Sequence, residues 1–283
     1  MPTPPVPEDS RPEATRHAGP VNGTDFADWP LLTASGVDAV VTTRRGGVSK
    51  PPYDQLNLAF HVGDDESAVI ENRRRVAAAF DADLDDMVFC EQVHRPAVHV
   101  ATEADRGRGA RTRSTAIQDT DAMVTTTPGL LLVVMVADCV PLVLHDPGAG
   151  VLGVVHAGWA GTVRGVTPAA VAAMVDLGAR PQNIVAGIGP AISPATYQVG
   201  EDVRSAAEQA FGGATESVLR SDGTGRFLFD LFAANRLQLE QAGLDPARIE
   251  LSGQVTGPGT PFYSHRAQQP TGRFAAVARL RAE

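Results

Sequence analysis

The amino-acid sequence predicts an α/β fold: a single domain with central mixed β-sheets, sandwich-like, flanked by helices. Three observations support this. The centre of the chain holds consecutive β-branched-rich apolar runs, which are typical of strands buried on both faces. Segments with apolar residues at helical spacing flank this centre. No internal repeat or linker divides the 283 residues, so we expect one domain over residues 28–283.

The predicted strands follow the apolar runs in chain order, and turn-forming residues separate them. These runs are residues 39–43, 87–93, 98–101, 130–136, 140–144, 151–155, 184–188, 249–251 and 274–278. Between the first two runs lies a long loop that contains RRGGVSKPPYDQLNLAFHVGDD. A loop of this length is uncommon unless it is functional.

Four helices are predicted around these strands. Residues 66–80 read as the first. In the second, Thr167 is expected to cap the helix and Pro168 to occupy its first position. Residues 203–211 carry an apolar stripe, and the last helix is predicted to begin after Asp230 and to end at Gly243.

Composition limits the classes of function. The hydrophobic fraction is 43% and the charged fraction 20%, as in soluble globular proteins. Residues 1–27 are rich in Pro, Glu, Asp and Gly, which predicts a disordered tail, and we find neither a membrane span nor an apolar signal sequence. We therefore expect a cytoplasmic protein that does not bind membranes. The net charge of -9 disfavours nucleic-acid binding, and nothing indicates an obligate protein partner.

Three residues are candidate metal ligands. His94, Cys139 and His156 each lie where an apolar run meets polar or glycine-rich sequence. One thiolate and two imidazoles suit zinc, and three protein ligands with one open position are typical of catalytic zinc. A buried Cys or His is more commonly a packing residue, so the spacing alone leaves both interpretations open. Gln92 and Asp138 are candidates to orient the ligands, whereas Cys90 is expected to pack in the core.

Further motifs occur in order along the chain: TTRRGGVS, YDQLNLAFHVGDD, QVH, DAMVT, ADCVPLVLHDP, HAGWAGTVRGV, IGPAI, FYSHR and TGRFAAV. Together they closely resemble the polyphenol oxidoreductase, or laccase-domain, family. Its members are described as multicopper polyphenol oxidoreductases and as purine nucleoside phosphorylases that also deaminate adenosine. The resemblance implies that His94, Cys139 and His156 are metal and active-site residues, and it places the arginine of another family motif at Arg44.

This sequence departs from the family pattern at three positions. Ala160 replaces the arginine of HAGWRG, Ser252 stands where a cysteine is common, and His265 changes the FSYR pattern to YSHR. The first departure removes a possible anion contact, although Arg164 follows one helical turn later.

The resemblance implies a zinc enzyme, with copper as the alternative metal, that acts on a purine nucleoside and phosphate. Phosphorolysis requires an anion site, and glycine-rich loops with an arginine are candidates for one. The residues expected to bind substrate or phosphate are Arg44, Gly46, Gly47, Ser49, Trp159 and Arg164. Each of these glycine-rich segments can also be an ordinary turn, and Trp159 can equally be a core residue.

Three other functions stay open. The first is a metal-free hydrolase that pairs Cys139 with a histidine and acts, for example, on peptidoglycan precursors. The second is a copper polyphenol oxidase, which the supply of seven histidines without any His-x-His pair disfavours. The third is a zinc-binding protein without catalytic activity.

Overall fold

The computed structural model describes residues 26–223 and 225–281. It has four layers: one helix, a five-stranded sheet, a six-stranded sheet and a group of three helices. The two sheets pack face to face, so the predicted α/β domain with sandwich-like mixed sheets is confirmed.

The strands of the described residues are β1 Phe26–Asp28, β2 Val37–Thr42, β3 Met87–Phe89, β4 Val98–Val100, β5 Ala122–Thr125, β6 Leu131–Val136, β7 Val140–Asp146, β8 Val151–Ala157, β9 Val185–Ile188, β10 Ala191–Ile192, β11 Gln198–Val199, β12 Leu219–Ser221, β13 Phe227–Phe229, β14 Ile249–Leu251, β15 Val255–Thr256 and β16 Phe274–Leu280. The α-helices are α1 Pro30–Ala34, α2 Glu66–Ala78, α3 Trp159–Val163, α4 Val166–Asp176, α5 Glu201–Phe211, α6 Thr215–Val218 and α7 Leu231–Gln241.

Long-range pairing builds both large sheets. The five-stranded sheet has the order β1-β2-β16-β6-β3, so the last strand of the chain lies between two much earlier ones. The six-stranded sheet has the order β14-β9-β7-β8-β5-β4. Strands β6, β7 and β8 are buried along their whole length, which explains their continuous apolar sequence.

Side chains alternate between layers along each central strand. In β6, Val134 and Val136 face the six-stranded sheet, whereas Val133 and Met135 face the layer that contains α2. In β8, Val154 lies between the sheets. Helices α4, α5 and α7 cover the outer face of the six-stranded sheet. Side chains that point between the sheets near a strand end therefore meet at the edge of the sandwich.

Several predicted element bounds need correction. The second predicted helix, α4, begins at Val166 after Gly165 and not at Pro168, and the Thr167 hydroxyl donates to Asn235 instead of capping the helix. The cap by Asp230 is confirmed, since its side chain accepts from the Ala233 N–H. Residues 1–25 of the predicted tail lie outside the described residues. Its last two residues, Phe26 and Ala27, belong to β1, which pairs with β2.

Among the described residues, no helix combines the length and apolar character that a membrane crossing requires.

Candidate metal centre and cavity

Pairing between β7 and β8 brings Cys139 close to the end of β8. Val140 lies opposite Ala157, and Pro141 lies opposite His156. Cys139 immediately precedes β7, on the turn where the chain crosses from the five-stranded to the six-stranded sheet. The predicted strand of residues 151–155 extends to Ala157, so His156 is part of the ladder and its backbone is fixed.

Asp121 holds His94 and His156 in place. Its Oδ1 accepts hydrogen bonds from the His94 N–H (2.9 Å) and from His156 Nδ1 (2.8 Å), while its Oδ2 accepts from the N–H groups of Val93 and Arg95. His94 has a φ of 60°, a left-handed conformation that is unfavourable for a residue with a side chain. The bonds to Asp121 stabilise this turn. They also leave Nε2 of His156 free to bind a ligand.

The three candidate ligands lie together. The ligand atoms of His94, Cys139 and His156 are all within 4.8 Å of one another, and Cys139 Sγ lies 3.8 Å from His94 Nε2. Two ligands on a tetrahedral zinc, with bonds of about 2.3 Å to sulfur and 2.0 Å to nitrogen, are roughly 3.6 Å apart. The donor set and its spacing therefore fit a zinc ion after small side-chain adjustments.

Gly158 closes one side of this metal centre. A Cβ at this position would lie 2.7 Å from His94 Cδ2 and 2.9 Å from Cys139 Sγ. Any larger residue would therefore displace two of the three ligands. The glycine of HAGW is therefore required because a side chain at this position would collide with the ligands.

The three side chains also polarise one another. Burial opposes ionisation of Cys139, but the charge of His156 and hydrogen bonds from both histidines lower the pKa of the thiol to about 6. Burial likewise opposes protonation of His156, yet Cys139 and Asp121 raise its pKa to about 9. Without a metal ion, the site is thus a thiolate paired with an imidazolium at neutral pH. With a metal ion, the thiolate is already in its coordinating form.

A cavity of about 290 Å³ opens next to the metal centre. This volume is close to the lower end for small-molecule sites, so the cavity suits a small molecule and not a polymer. Its lining comprises Phe60, His61, Arg73, Phe89, Cys90, Glu91, Gln92, His94, Gly109, Arg113, Ala116, Met135, Val136, Ala137, Cys139, His156, His265 and Arg273.

The predicted phosphate-binding loop lies away from this cavity. Arg44 donates to the backbone and the carboxylate of Asp54, and its guanidinium stacks on Tyr263. The N–H groups of Gly46 and Ser49 donate to Gln55. A Cβ on Gly47 would lie 2.2 Å from the Gln55 carbonyl oxygen, so this glycine is required for packing. The structure does not bring these residues to the cavity, and their role in binding phosphate stays a prediction.

The other predicted substrate contacts, Trp159 and Arg164, have partners within the protein. Trp159 is partly buried and packs against the core of the helical layer. Arg164 donates to the His94 carbonyl oxygen at 2.9 Å, so it stabilises the turn that carries this histidine. Neither residue is among the described residues that line the cavity. Contact of Trp159 or Arg164 with substrate stays a prediction.

The expected orienting residues have different partners. Gln92 exchanges two hydrogen bonds with the backbone of Met135, and the Asp138 carboxylate accepts from Thr256 and from the Arg266 N–H. Gln92 therefore ties its segment to β6, and Asp138 ties its turn to the segments of Thr256 and Arg266. Asp121 is the residue that orients two of the ligands, His94 and His156. Cys90 is buried, and burial raises the pKa of its thiol, in agreement with a packing role.

Comparison with known proteins identifies the family of this chain. The family described as multi-copper polyphenol oxidoreductase laccase matches residues 38–281. The chain belongs to this family. The resemblance found in the sequence is thus confirmed.

Named relatives of this laccase-like chain are described as enzymes of purine nucleosides. A purine nucleoside phosphorylase of Deinococcus radiodurans is 43% identical, with 89% of this chain and 93% of the relative aligned. An adenosine deaminase from an unknown prokaryotic organism is 38% identical, over 86% of this chain and 91% of the relative. The crystal structure of YlmD from Geobacillus stearothermophilus superposes with a TM-score of 0.88 at 36% identity, covering 94% of this chain and 99% of that structure.

The family description names several coppers. Within residues 26–223 and 225–281, however, His94, Cys139 and His156 form the sole group of three or more His, Cys, Asp or Glu side chains with ligand atoms close enough to share an ion. The described part of this laccase-like chain therefore provides one candidate metal centre.

Sequence reasoning missed most of the cavity lining. Arg73 lies in the middle of α2, His61 lies in the long loop, and Arg273 directly precedes β16. The last two residues are in motifs that carry the family resemblance, LAFHVGDD and TGRFAAV. Their position in those motifs was the one available signal.

Proposed function

We propose that this protein is a zinc-dependent purine nucleoside phosphorylase, which converts adenosine or inosine and phosphate to the free base and ribose 1-phosphate. The observation that carries the proposal is the His94, Cys139 and His156 group at the wall of a cavity with the size of a small-molecule site. Relatives that align over most of both chains and are named purine nucleoside phosphorylases support the choice of substrate.

The reaction needs two separate functions from the cavity. A phosphate oxygen forms a bond to the anomeric carbon of the ribose, and the carbon–nitrogen bond breaks with its electron pair moving to the purine. The phosphate needs cationic donors, and the departing purine needs a group that accepts its developing negative charge. The three candidate metal ligands and three arginines line the same cavity, so it offers both kinds of group.

The chain's own residues prepare the metal centre. Asp121 fixes His156 in the tautomer with Nε2 unprotonated when a metal is bound, and Gly158 leaves space for Cys139 and His94 to approach. A zinc ion held by His94, Cys139 and His156 would supply Lewis acidity at its open fourth position.

We further propose that the cavity deaminates adenosine as a side activity. The relative named adenosine deaminase favours this addition. Purine base release and deamination both act on a purine placed against the same metal centre. Each reaction has its own product, which allows them to be measured together.

Two rivals predict different behaviour. The pair of Cys139 and His156, with a thiolate and an imidazolium, also suits a metal-free cysteine hydrolase. That hydrolase would keep its activity after metal removal. A zinc-binding protein without catalytic activity would bind metal and release no product.

The test is chromatography of adenosine and inosine reactions with and without phosphate, on the purified protein with measured metal content. We expect phosphate-dependent adenine or hypoxanthine together with ribose 1-phosphate, and loss of both in Cys139→Ala. His99→Ala is the control, because His99 pairs with Asp105 away from the metal centre and the cavity lining, and this variant should retain turnover. Absence of product from wild type, or equal product from Cys139→Ala, would refute the proposal.

A further inference from the structure

The cavity carries more positive than negative charge. Three arginines line it, Arg73, Arg113 and Arg273, whereas Glu91 is the one acidic side chain among its described lining residues. A small cavity with this balance attracts anions. The partners of each arginine decide which of them has donors left for a ligand.

Arg73 has no donors left. It is 1% exposed, lies over the rings of Phe60 and Phe89, and donates to the carbonyl oxygens of Leu58, Gly109 and Ala110 and to the sulfur of Met135. These bonds use its Nε and both terminal nitrogens. Arg73 therefore contributes positive charge at the cavity wall but holds the surrounding backbone and not a ligand.

Arg113 has an acidic partner. Its guanidinium forms an ion pair with Glu91 at 2.5 Å, and its side chain is more than half exposed. The paired carboxylate offsets its charge, and solvent screens what remains. Arg113 is consequently a weak candidate for holding an anion.

Arg273 differs from both. Within the described residues, it forms no ion pair, and its hydrogen bonds go from Nη1 to the carbonyl oxygens of Thr271 and Gly272. The Nε and Nη2 groups have no acceptor in that part of the chain. Arg273 is half-buried and lines the same cavity as Cys139. Burial lowers the pKa of its guanidinium, and the negative charges of Cys139 and Asp138 oppose this shift.

The backbone that carries Arg273 is rigid. Its N–H donates to Asn57 Oδ1 at 2.9 Å, and its carbonyl oxygen accepts from the Leu58 N–H. A Cβ on the preceding Gly272 would lie 2.7 Å from the Tyr263 ring, so this segment packs closely. Arg273 thus lines the cavity from a fixed position next to β16, as a preorganised anion site requires.

His61 is a second group at this part of the lining. His61 is exposed, but partial desolvation at the cavity wall and the charges of Arg273, Arg113 and Arg73 lower the pKa of its ring, which favours the neutral form at pH 7. Within the described residues its ring nitrogens have no hydrogen-bond partner. A neutral imidazole has one N–H to donate, which suits a phosphate oxygen without adding a charge.

We propose that Arg273, with His61 beside it, binds the phosphate ion that attacks the nucleoside. This inference rests on the proposed function, and it assigns the phosphate to the cavity and not to the loop of Arg44. The guanidinium offers the paired donors that match two phosphate oxygens.

The test measures phosphate in two ways on the full-length protein. The first is inorganic phosphate binding, followed by ³¹P NMR line broadening; the second is the phosphate KM during phosphorolysis. Arg273→Gln removes a charge-assisted pair of hydrogen bonds. It should raise both the phosphate dissociation constant and the phosphate KM by about 10- to 100-fold. The nucleoside KM should change less than about threefold. Arg273→Lys keeps the charge but lacks the paired donors of the guanidinium. Its phosphate dissociation constant and phosphate KM should therefore lie between those of wild type and Arg273→Gln.

Arg248→Gln is the control, since it removes an exposed arginine outside the cavity lining, and it should leave phosphate binding within about twofold of wild type. Melting temperatures confirm that each variant is folded, and if Arg273→Gln is not folded then Arg273→Lys alone decides the test. Phosphate binding in the folded Arg273 variants equal to wild type would overturn the proposal while leaving the phosphorylase activity intact. Conversely, Arg273-dependent phosphate binding without nucleoside turnover would support this site and refute the proposed function.

Discussion

Replacing Asp121 by asparagine tests how the metal centre is built. The Asp121 carboxylate is fully buried and accepts four hydrogen bonds, two at each oxygen. Asparagine has the same shape but only one oxygen. In either orientation of its amide, the NH₂ group faces two donors. One orientation leaves the N–H groups of Val93 and Arg95 without an acceptor, and the other opposes the His94 N–H and His156 Nδ1.

The magnitude follows from this count. Two hydrogen bonds to a charged acceptor are lost, and each contributes about 1.5–3 kcal/mol, so the free energy of unfolding should fall by about 3–6 kcal/mol. In the second orientation, His156 changes to the tautomer with a proton on Nε2, which cannot coordinate a metal. Loss of such an orienting carboxylate typically weakens metal affinity by about 10- to 100-fold.

The assay combines urea denaturation of the metal-free protein with zinc titration against a chromophoric chelator. Asp38→Asn is the control, because Asp38 pairs with Arg279 and Arg281 at a partly exposed position and should change stability by less than about 1 kcal/mol. Zinc affinity within twofold of wild type in Asp121→Asn, with stability within about 1 kcal/mol, would refute this reasoning.

Three further outcomes are expected. Gly158→Ala places a methyl group within 2.9 Å of the Cys139 sulfur, so zinc content by mass spectrometry should fall in a folded protein, and full occupancy would contradict the geometry. In metal-free protein, the rate at which iodoacetamide modifies Cys139 should rise with pH as the thiolate forms, with a midpoint near pH 6. His156→Ala should move that midpoint to higher pH, and an unchanged midpoint would disprove the pairing of Cys139 with His156. Arg73→Met leaves three buried carbonyl oxygens without their donor, so urea unfolding should show a loss of at least about 3 kcal/mol, and a loss under 1 kcal/mol would show that the guanidinium is dispensable.

The central strands were predictable because their sequence reports burial. Runs such as Leu131–Val136 are apolar at every position, and that pattern arises when both faces of a strand are covered. The ends of strands were harder to predict. His156 follows the apolar part of β8, yet it stays in the ladder because β7 supplies a partner at Pro141. Strands of two residues, such as Gln198–Val199, are too short for a periodic pattern.

The arrangement of the two sheets required information that no local pattern contains. β16 lies between β2 and β6, so strands far apart in sequence become neighbours. That pairing sets which strand ends share an edge of the sandwich. The meeting of His94, Cys139 and His156 was therefore expected from strand ends and family resemblance, but their distances followed only from the structure.

The loop of Arg44, predicted to bind phosphate, shows the limit of arguments from local sequence. Gly46 and Gly47 beside Arg44 have the composition of an anion nest, but Gly47 is required by contact with the Gln55 backbone. No local anion-site motif marks Arg273, which we propose as the anion site, because that proposal depends on its forming no ion pair within the described residues. Whether an arginine has an acidic partner depends on residues distant in sequence, so local sequence does not show it.

The most direct test of the account is the zinc X-ray absorption spectrum of the zinc-loaded protein. The account predicts one sulfur ligand at about 2.3 Å and at least two imidazole nitrogens at about 2.0 Å, with the sulfur absent in Cys139→Ala. A spectrum with nitrogen and oxygen ligands alone, unchanged in that variant, would contradict a metal centre formed by His94, Cys139 and His156.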